Sequence, residues 1–472
     1  MRVHLACWLV TFALVSVATA QEDDWGFDDE ETYVSEASEI VAESERFWDL
    51  SGDLSLGVSY NYLDHHSATG TPYGNLSRLR AQLDLQLDVD LPLEWKLRVE
   101  GYGFYDFTYV FKGRSQYTHG VRDDYIWEVD FREVWLQGRL GPSLDWKLGR
   151  QIVNWGRSDT LRVLDVLNPL DNREPGLVDI DDLRLPLTMA RVDYYPKWVP
   201  EGWGAWSLQL LVIPEFRQAR NPPIGSDFNP SPVVIDLPSD KPDHFFDEPE
   251  YGGSLTGRFS GWDVSLYAAR IYANTPAVVF AEGLPPGFLR HNQVTMVGAG
   301  GNWTVGSWLF KGEIGWFDGL AYTSGSSPSP GMVLLETVEK SRLDSLVGVE
   351  YYGISDLQIA FEVVQRHILD YDGALKFEAE GVELADAEEN SFEGAFRVTA
   401  DFMNSRLQLM GVVFVLIDDA YQGSIIRLQA AYQLVDALNL SGGIVLYEGG
   451  DDPYLESIDR NDRLFLQVDY SF

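Results

Sequence analysis

The chain has 472 residues, with 35 Lys and Arg against 73 Asp and Glu, a formal net charge of −38 and 43 glycines. That acidity excludes nucleic acid as a partner, because a polyanion would be repelled. No segment approaches the roughly 20 uninterrupted apolar residues of a spanning helix, so a helical membrane protein is excluded as well.

The first element is a predicted signal peptide. Arg2 precedes an apolar run from Leu5 to Val17, and Ala18 and Ala20 set cleavage after residue 20. Cys7 lies ahead of most of that run, the wrong order for lipidation. Residues 21–472 contain no other cysteine, which removes disulfides, thiolate metal sites and cysteine nucleophiles. Residues 21–50 are acidic and read as a periplasmic tail, either a short helix or a disordered leader.

From residue 51 the dominant signal is period-two alternation. Leu79, Ala81, Leu83, Leu85, Leu87 and Val89 interleave with Arg80, Gln82, Asp84, Gln86 and Asp88, so one face meets something oily and the other something wet. Segments of this kind recur to the end of the chain, joined by short corners such as Gly141-Pro142-Ser143 and Gly306-Ser307. They alternate with long polar tracts at 156–182, 214–250, 274–291, 319–340, 370–390 and 448–461. Long strands with alternately tight and long links predict an all-β fold: a transmembrane antiparallel up-and-down β-barrel over residues 51–472, of about 18 strands, with 16 as the alternative. Its surface would meet outer-membrane lipid and the phosphates of lipopolysaccharide. Trp95, Trp303, Trp308, Trp316, Tyr351, Phe392 and Phe402 fall at strand ends, where amphipathic rings favour the membrane interface. The last strand ends on Phe472, which resembles the signal read by the barrel-assembly machinery.

The alternation breaks at one height. Val129 and Phe131 share the apolar face, but after Arg132 and Glu133 it passes to Val134 and Leu136. In the next strand, read as 143–155, Leu144, Trp146 and Leu148 are followed by Arg150 where a lipid-facing residue is due. An arginine facing hydrocarbon costs about 2–4 kcal/mol at the midplane, so a bulge beside Gly149 that turns Arg150 inward is expected. Pairing about Pro142 sets Glu133 near Gln151, with Asn154 and Arg157 above, and a similar shift occurs near Arg191 and Asp193. Arg132, Glu133, Arg150, Gln151, Asn154, Arg157, Arg184 and Arg191 are the candidates for a lumen constriction or ligand-orienting patch; a salt-bridged belt that only stiffens the wall is the alternative.

The segment GRQIVNWGRSDTLRVLDVLNPLDNR at 149–173, after REVW at 132–135 and before LRLPLTMARVDYYP, resembles the DUF1302 family of outer-membrane proteins. The order GRQ, NWG, NP-D carries the resemblance, although Arg157 stands where the family has an acidic acceptor. The resemblance implies a barrel without known catalysis, associated with a DUF1329 periplasmic protein and a resistance-nodulation-division exporter, and hence movement of hydrophobic compounds or lipids. Trp155 in this segment is expected to anchor the interface.

Three functions follow for comparison. A channel would be lined by Gln82, Asp84, Gln86, Arg98, Glu100, Lys311, Glu313, Glu350, Glu362, Arg366 and Arg397, with the 214–250 loop folded in as a constriction. A conduit for apolar molecules would show an apolar strip inside the barrel, hinted at by Leu346, Ala360 and Val364, or a lateral gap beside a weakly paired strand. An enzyme needs a nucleophile beside a base, and the histidines fall almost wholly in loops. No cofactor motif is present, and the acidic loops lack calcium-binding spacing.

Overall fold

The computed structural model describes residues 47–472 apart from 64–70, 72, 179, 200–201, 231–236, 241, 243–247, 281–286, 330, 380–381 and 419. The expected signal peptide and all but the end of the acidic tail lie outside the described residues.

Eighteen antiparallel strands form one closed sheet. They are β1 Trp48–Asn61, β2 Asn75–Leu91, β3 Trp95–Asp106, β4 Trp127–Arg139, β5 Leu144–Gln151 and β6 Leu187–Tyr194. Next come β7 Ala205–Ile213, β8 Glu250–Phe259, β9 Trp262–Tyr272, β10 Gln293–Val305, β11 Trp308–Ser329 and β12 Met332–Ile354. The last six are β13 Leu357–Ile368, β14 Asn390–Phe402, β15 Leu407–Ile417, β16 Tyr421–Val435, β17 Leu438–Gly449 and β18 Arg463–Ser471. Each strand pairs with its sequence neighbours, and β18 closes on β1 with Asp53 opposite Ser471 and Asn61 opposite Arg463. Closure leaves no free sheet edge at the seam, the arrangement that satisfies backbone polar groups in hydrocarbon.

The side-chain period sets the two faces. Leu83 and Leu85 of β2 are exposed on the outer wall, while Arg80 and Gln82 turn inward. Leu54 and Leu56 of β1 sit opposite Leu83 and Ala81 and continue the apolar band. One rim carries tight turns, where Gly141 and Gly306 take φ of +67° and +59°, a conformation that L side chains resist. Most links at the other rim are long.

Two expectations change, and one link is richer in structure than its sequence suggested. The tract 319–340 is not a loop: β11 and β12 continue as a ladder from Leu320 opposite Lys340 to Ser326 opposite Leu334, because small and polar residues can pair where no membrane demands alternation. The link 107–126 holds two short helices, α1 Thr108–Lys112 and α2 His119–Tyr125, the second capped by Thr118 accepting the Val121 amide. The fifth strand stops at Gln151 rather than 155, and the chain then enters the barrel.

Candidate functional site

The bulge expected beside Gly149 is not formed: β5 stays in unbroken register with β4 and with β6, with Trp135 and Met189 opposite Gly149, and the strand meets the Arg150 position through an unusual glycine conformation instead. Val134 lies opposite Arg150 and Leu136 opposite Leu148, and Gly149 between them has φ +124°. A Cβ at Gly149 would lie 2.3 Å from the Val134 carbonyl oxygen. On the other side of β4 the register with β3 slips between Val99 and Gly101, where Arg132 and Glu133 are accommodated. The Glu133 carboxylate accepts the Ile152 amide at 3.2 Å and the Trp135 indole N–H at 3.1 Å, so it fixes the point where the chain leaves the wall.

From Ile152 to Pro186 the chain crosses the lumen and returns to β6, and its first half is a plug. Val153, Trp155, Leu161, Val163, Leu164 and Leu167 are buried against inward residues of the wall, among them Leu187, Met189, Ile213, Ile271, Met296, Leu346 and Val364. The strip hinted at by Leu346 and Val364 is therefore real, and the chain itself fills it. Trp155 is an interior residue, not an interface anchor: it packs on Tyr267 and donates its indole N–H to Gln209 at 2.8 Å. Asn168 staples the plug by accepting the Val153 amide and donating to the Leu185 carbonyl.

Two wall carboxylates hold the turn at the tip of the plug. Glu362 of β13 accepts the Ser158 hydroxyl at 2.6 Å and the amides of Asp159, Thr160 and Leu161 at 2.9, 3.1 and 3.1 Å. Glu313 of β11 accepts the amides of Arg157, Ser158 and Leu164. Beside them Lys311 pairs with Glu350 and with Asp159. These inward groups were expected to be wetted wall; instead Lys311, Glu313, Glu350 and Glu362 are buried.

The other half of the lumen stays polar. A cavity of about 930 Å3 runs from Ser51, Asn439 and Ser471 near the tight-turn rim up to a roof formed by residues of 171–178 and 182–186. Its wall carries Arg78, Arg80, Arg132 and Arg427 among Asp84, Glu100, Asp130 and Asp469. The roof is pinned by Glu174, which accepts from Arg80 at 2.9 and 3.2 Å and pairs with Arg78 at 3.3 Å. Burial alone would raise the Glu174 pKa, but the guanidiniums of Arg78, Arg80 and Arg173 outweigh it and hold the carboxyl at about 2. Arg173 in turn bridges Glu128 and Asp171. Residues 215–229 of the 214–250 tract fold in over this arrangement: Tyr73 donates to the Gly225 carbonyl, Asn461 donates to that of Asp227, and Phe228 is buried against Tyr447.

The sequence candidates scatter among these parts. Arg132 faces the cavity, 3.2 Å from Asp84 and 4.0 Å from Glu100, and Arg184 at its roof pairs with Asp165 at 2.8 Å. Arg150 pairs with Asp130 at 3.1 Å at the top of β5. Gln151 is fully buried and donates to the Gly149 and Met189 carbonyls. Asn154 accepts the Gly156 amide, Arg157 reaches Asp263 at 2.6 Å on the far wall, and Arg191 pairs with Asp193 on its own strand. They do not form one cluster. Arg78 and Arg80 were marked only by their place on the polar face of β2, and nothing in the local sequence singled out Glu174.

Known proteins agree with this architecture. OccAB1 of Acinetobacter baumannii superposes with a TM-score of 0.50 at 11% identity, covering 91% of this chain and 98% of that one. The outer membrane protein OpdK of Pseudomonas aeruginosa gives 0.45 at 12% identity over 90% and 99%. The outer membrane channel DcaP of A. baumannii gives 0.40 at 12% over 90% and 97%. No curated protein matches the chain. The sequence matches the family described as protein of unknown function (DUF1302) from residue 5 to residue 472, essentially end to end, and the chain belongs to that family.

Proposed function

We propose that this outer-membrane barrel is a selective channel for a small polar or charged solute, which passes through the half of the lumen that the plug leaves free. The polar cavity carries the reading. Guanidinium and carboxylate groups share its wall, and mixed charge across a narrow passage orients a dipolar solute and sorts ions without any chemical step. The family resemblance points to hydrophobic cargo, but the apolar half of the lumen is already occupied by Trp155, Leu161, Leu164 and Leu167. A molecule without charge would meet a free path lined largely by charged and amide groups. The proposal assigns the barrel no catalysis. Handover to a periplasmic partner, whether of the DUF1329 kind or part of an exporter, would take place at the tight-turn rim, toward which the cavity extends.

The test is single-channel recording in a planar bilayer, wild type against Arg132→Ala. Removing this cation leaves Asp84 and Glu100 without their partner, so cation over anion permeability should rise several-fold while stable conductance steps persist. A barrel that gives no steps, or steps whose selectivity ignores Arg132, would refute a conduit through this cavity.

A further inference from the structure

The barrel wall is not of even height. Strand β4 pairs with β5 only from Val134 to Arg139, whereas Trp127–Phe131 pair with β3 alone. Beyond Gln151 the chain has left the wall for the lumen, and it rejoins at Leu187, so β5 and β6 have eight residues each. A strand tilted by about 40° climbs roughly 2.5 Å per residue, and a spanning strand needs about 9–11 residues. Eight residues climb about 20 Å and stop short of the far interface of a band about 25 Å tall. The wall therefore has a notch beside the upper half of β4, on the long-loop side of the bilayer.

The notch has two kinds of border. Along β4 the outward residues Trp127, Val129 and Phe131 are 60%, 75% and 57% exposed, against 41% and 40% for Leu83 and Leu85 where both neighbouring strands are present. Exposure of that order also occurs on strands paired on both sides, as at Val347, so it is the unpaired edge of Trp127–Phe131 that marks the notch. Behind them Arg217, Arg150 and Arg220 lie 2.7, 3.1 and 3.7 Å from Asp130, with Glu215 also 3.9 Å from Arg150 and with Glu128 and Asp171 also paired to Arg220. Arg150 and Arg217 also point N–H groups at the Pro186 carbonyl. Asp130, Phe131 and Pro186 line the polar cavity as well, so the notch adjoins the interior.

We infer that the notch is a lateral port that admits an anionic single-chain amphiphile from the outer part of the bilayer. The chain lies along Trp127, Val129 and Phe131, and the head takes the place of Asp130 among the guanidiniums. Planar guanidiniums grip a carboxylate or phosphate through paired N–H groups, and Asp130 occupies that position until an outside anion competes for it. This goes beyond the channel proposed above, and the two stand apart: ion conduction through the cavity reports the first, amphiphile binding at the notch the second.

The probe is dodecanoate, titrated calorimetrically onto the intact barrel in a non-ionic detergent, with acetate and dodecanol as head-only and chain-only controls. Saturable binding of dodecanoate alone is expected, weakened at least about 5-fold by Arg217→Ala and tightened about 3-fold or more by Asp130→Asn, which removes the internal competitor. Merely structural roles would move both variants in the same direction. Heat-modifiable electrophoretic mobility reports that each variant is folded. A dodecanoate bearing a diazirine at its chain end should label residues 127–131. Equal binding of dodecanol, indifference to both substitutions, or labelling spread around the barrel would overturn the port.

Discussion

Changing Glu362 to Gln tests whether the wall carboxylates hold the plug. In the wild type one oxygen accepts the Ser158 hydroxyl and the Thr160 and Leu161 amides, and the other accepts the Asp159 amide. The glutamine can keep its oxygen toward the first three, which then lose their charge assistance, about 1 kcal/mol each, and its NH2 faces the Asp159 N–H, leaving a buried donor unsatisfied at about 1–3 kcal/mol. The sum is about 4–6 kcal/mol, whose lower end is roughly 10^3 in the local opening equilibrium. Amide hydrogen exchange by mass spectrometry reads that equilibrium directly. Exchange at 159–161 should accelerate by about three orders of magnitude, while the amides of Leu164 and Val153, held by Glu313 and Asn168, keep their protection. Single-channel current should become noisier as the turn samples the lumen. Acceleration below about 3-fold at 159–161 would refute the idea that Glu362 holds this turn.

Acid should loosen the roof only at very low pH. The Glu174 carboxyl titrates near 4.5 when free and at about 2 when docked, so docking contributes fully above pH 4.5, weakens below it, and is lost as pH falls through 2. Conductance should stay level from pH 7 to about 4.5 and rise below about 3, and Glu174→Gln should show the loosened conductance at every pH; a rise already complete at pH 5 would contradict this. Gly149→Ala places a Cβ against the Val134 carbonyl at a φ of +124° and should cost at least about 2 kcal/mol, read as a lower urea midpoint of the refolded barrel. Gly306→Ala, with open space around its Cβ, should cost about 1 kcal/mol. Equal midpoints for the two would dismiss the glycine at 149 as a structural requirement.

Much of the wall could be read from the sequence because lipid on one side and polar groups on the other impose a strict period of two, as in β2. The break in alternation was legible for the same reason, but its place was only half right: the register slips at Arg132 and Glu133 of β4 against β3, while β5 stays in step on both sides of Arg150. The plug was not legible, since Val153, Trp155, Leu161, Val163, Leu164 and Leu167 follow neither a strand nor a helix period. A trace of it did exist elsewhere. In β7, Leu208, Leu210 and Val212 face outward while Leu211 and Ile213 are buried within, so the strand is apolar on both faces. A barrel strand of that kind has lipid on one side and packed chain on the other, and the residue numbers alone could have placed the plug against β6 to β13. The site charges were harder, because an inward arginine such as Arg80 has the same pattern whether it meets solvent or the carboxylate of Glu174, a residue 94 positions away.

The family motif takes on a physical meaning in this light. Gly149 takes the φ of +124° that lets β5 lie against the Val134 carbonyl, Gln151 ties the strand end to the backbone of its neighbours, Trp155 fills the apolar half of the lumen, Asn168 staples the plug, and Asp171 meets Arg173 and Arg220 in the roof. These are the parts of one folded insert, and none of those roles needs a ligand. Arg157, which follows NWG in that motif, supports the same reading. Its guanidinium lies 2.6 Å from Asp263 and donates to the Ser265 hydroxyl, both on β9. A position that contacted solute would have no reason to find its countercharge on the wall. A position that docks the plug must find it there, and the charge on the insert has its opposite on the strand. The segment that carries the order GRQ, NWG, NP-D is thus the one that divides the lumen, and the proposed path of the solute runs through the half it leaves open.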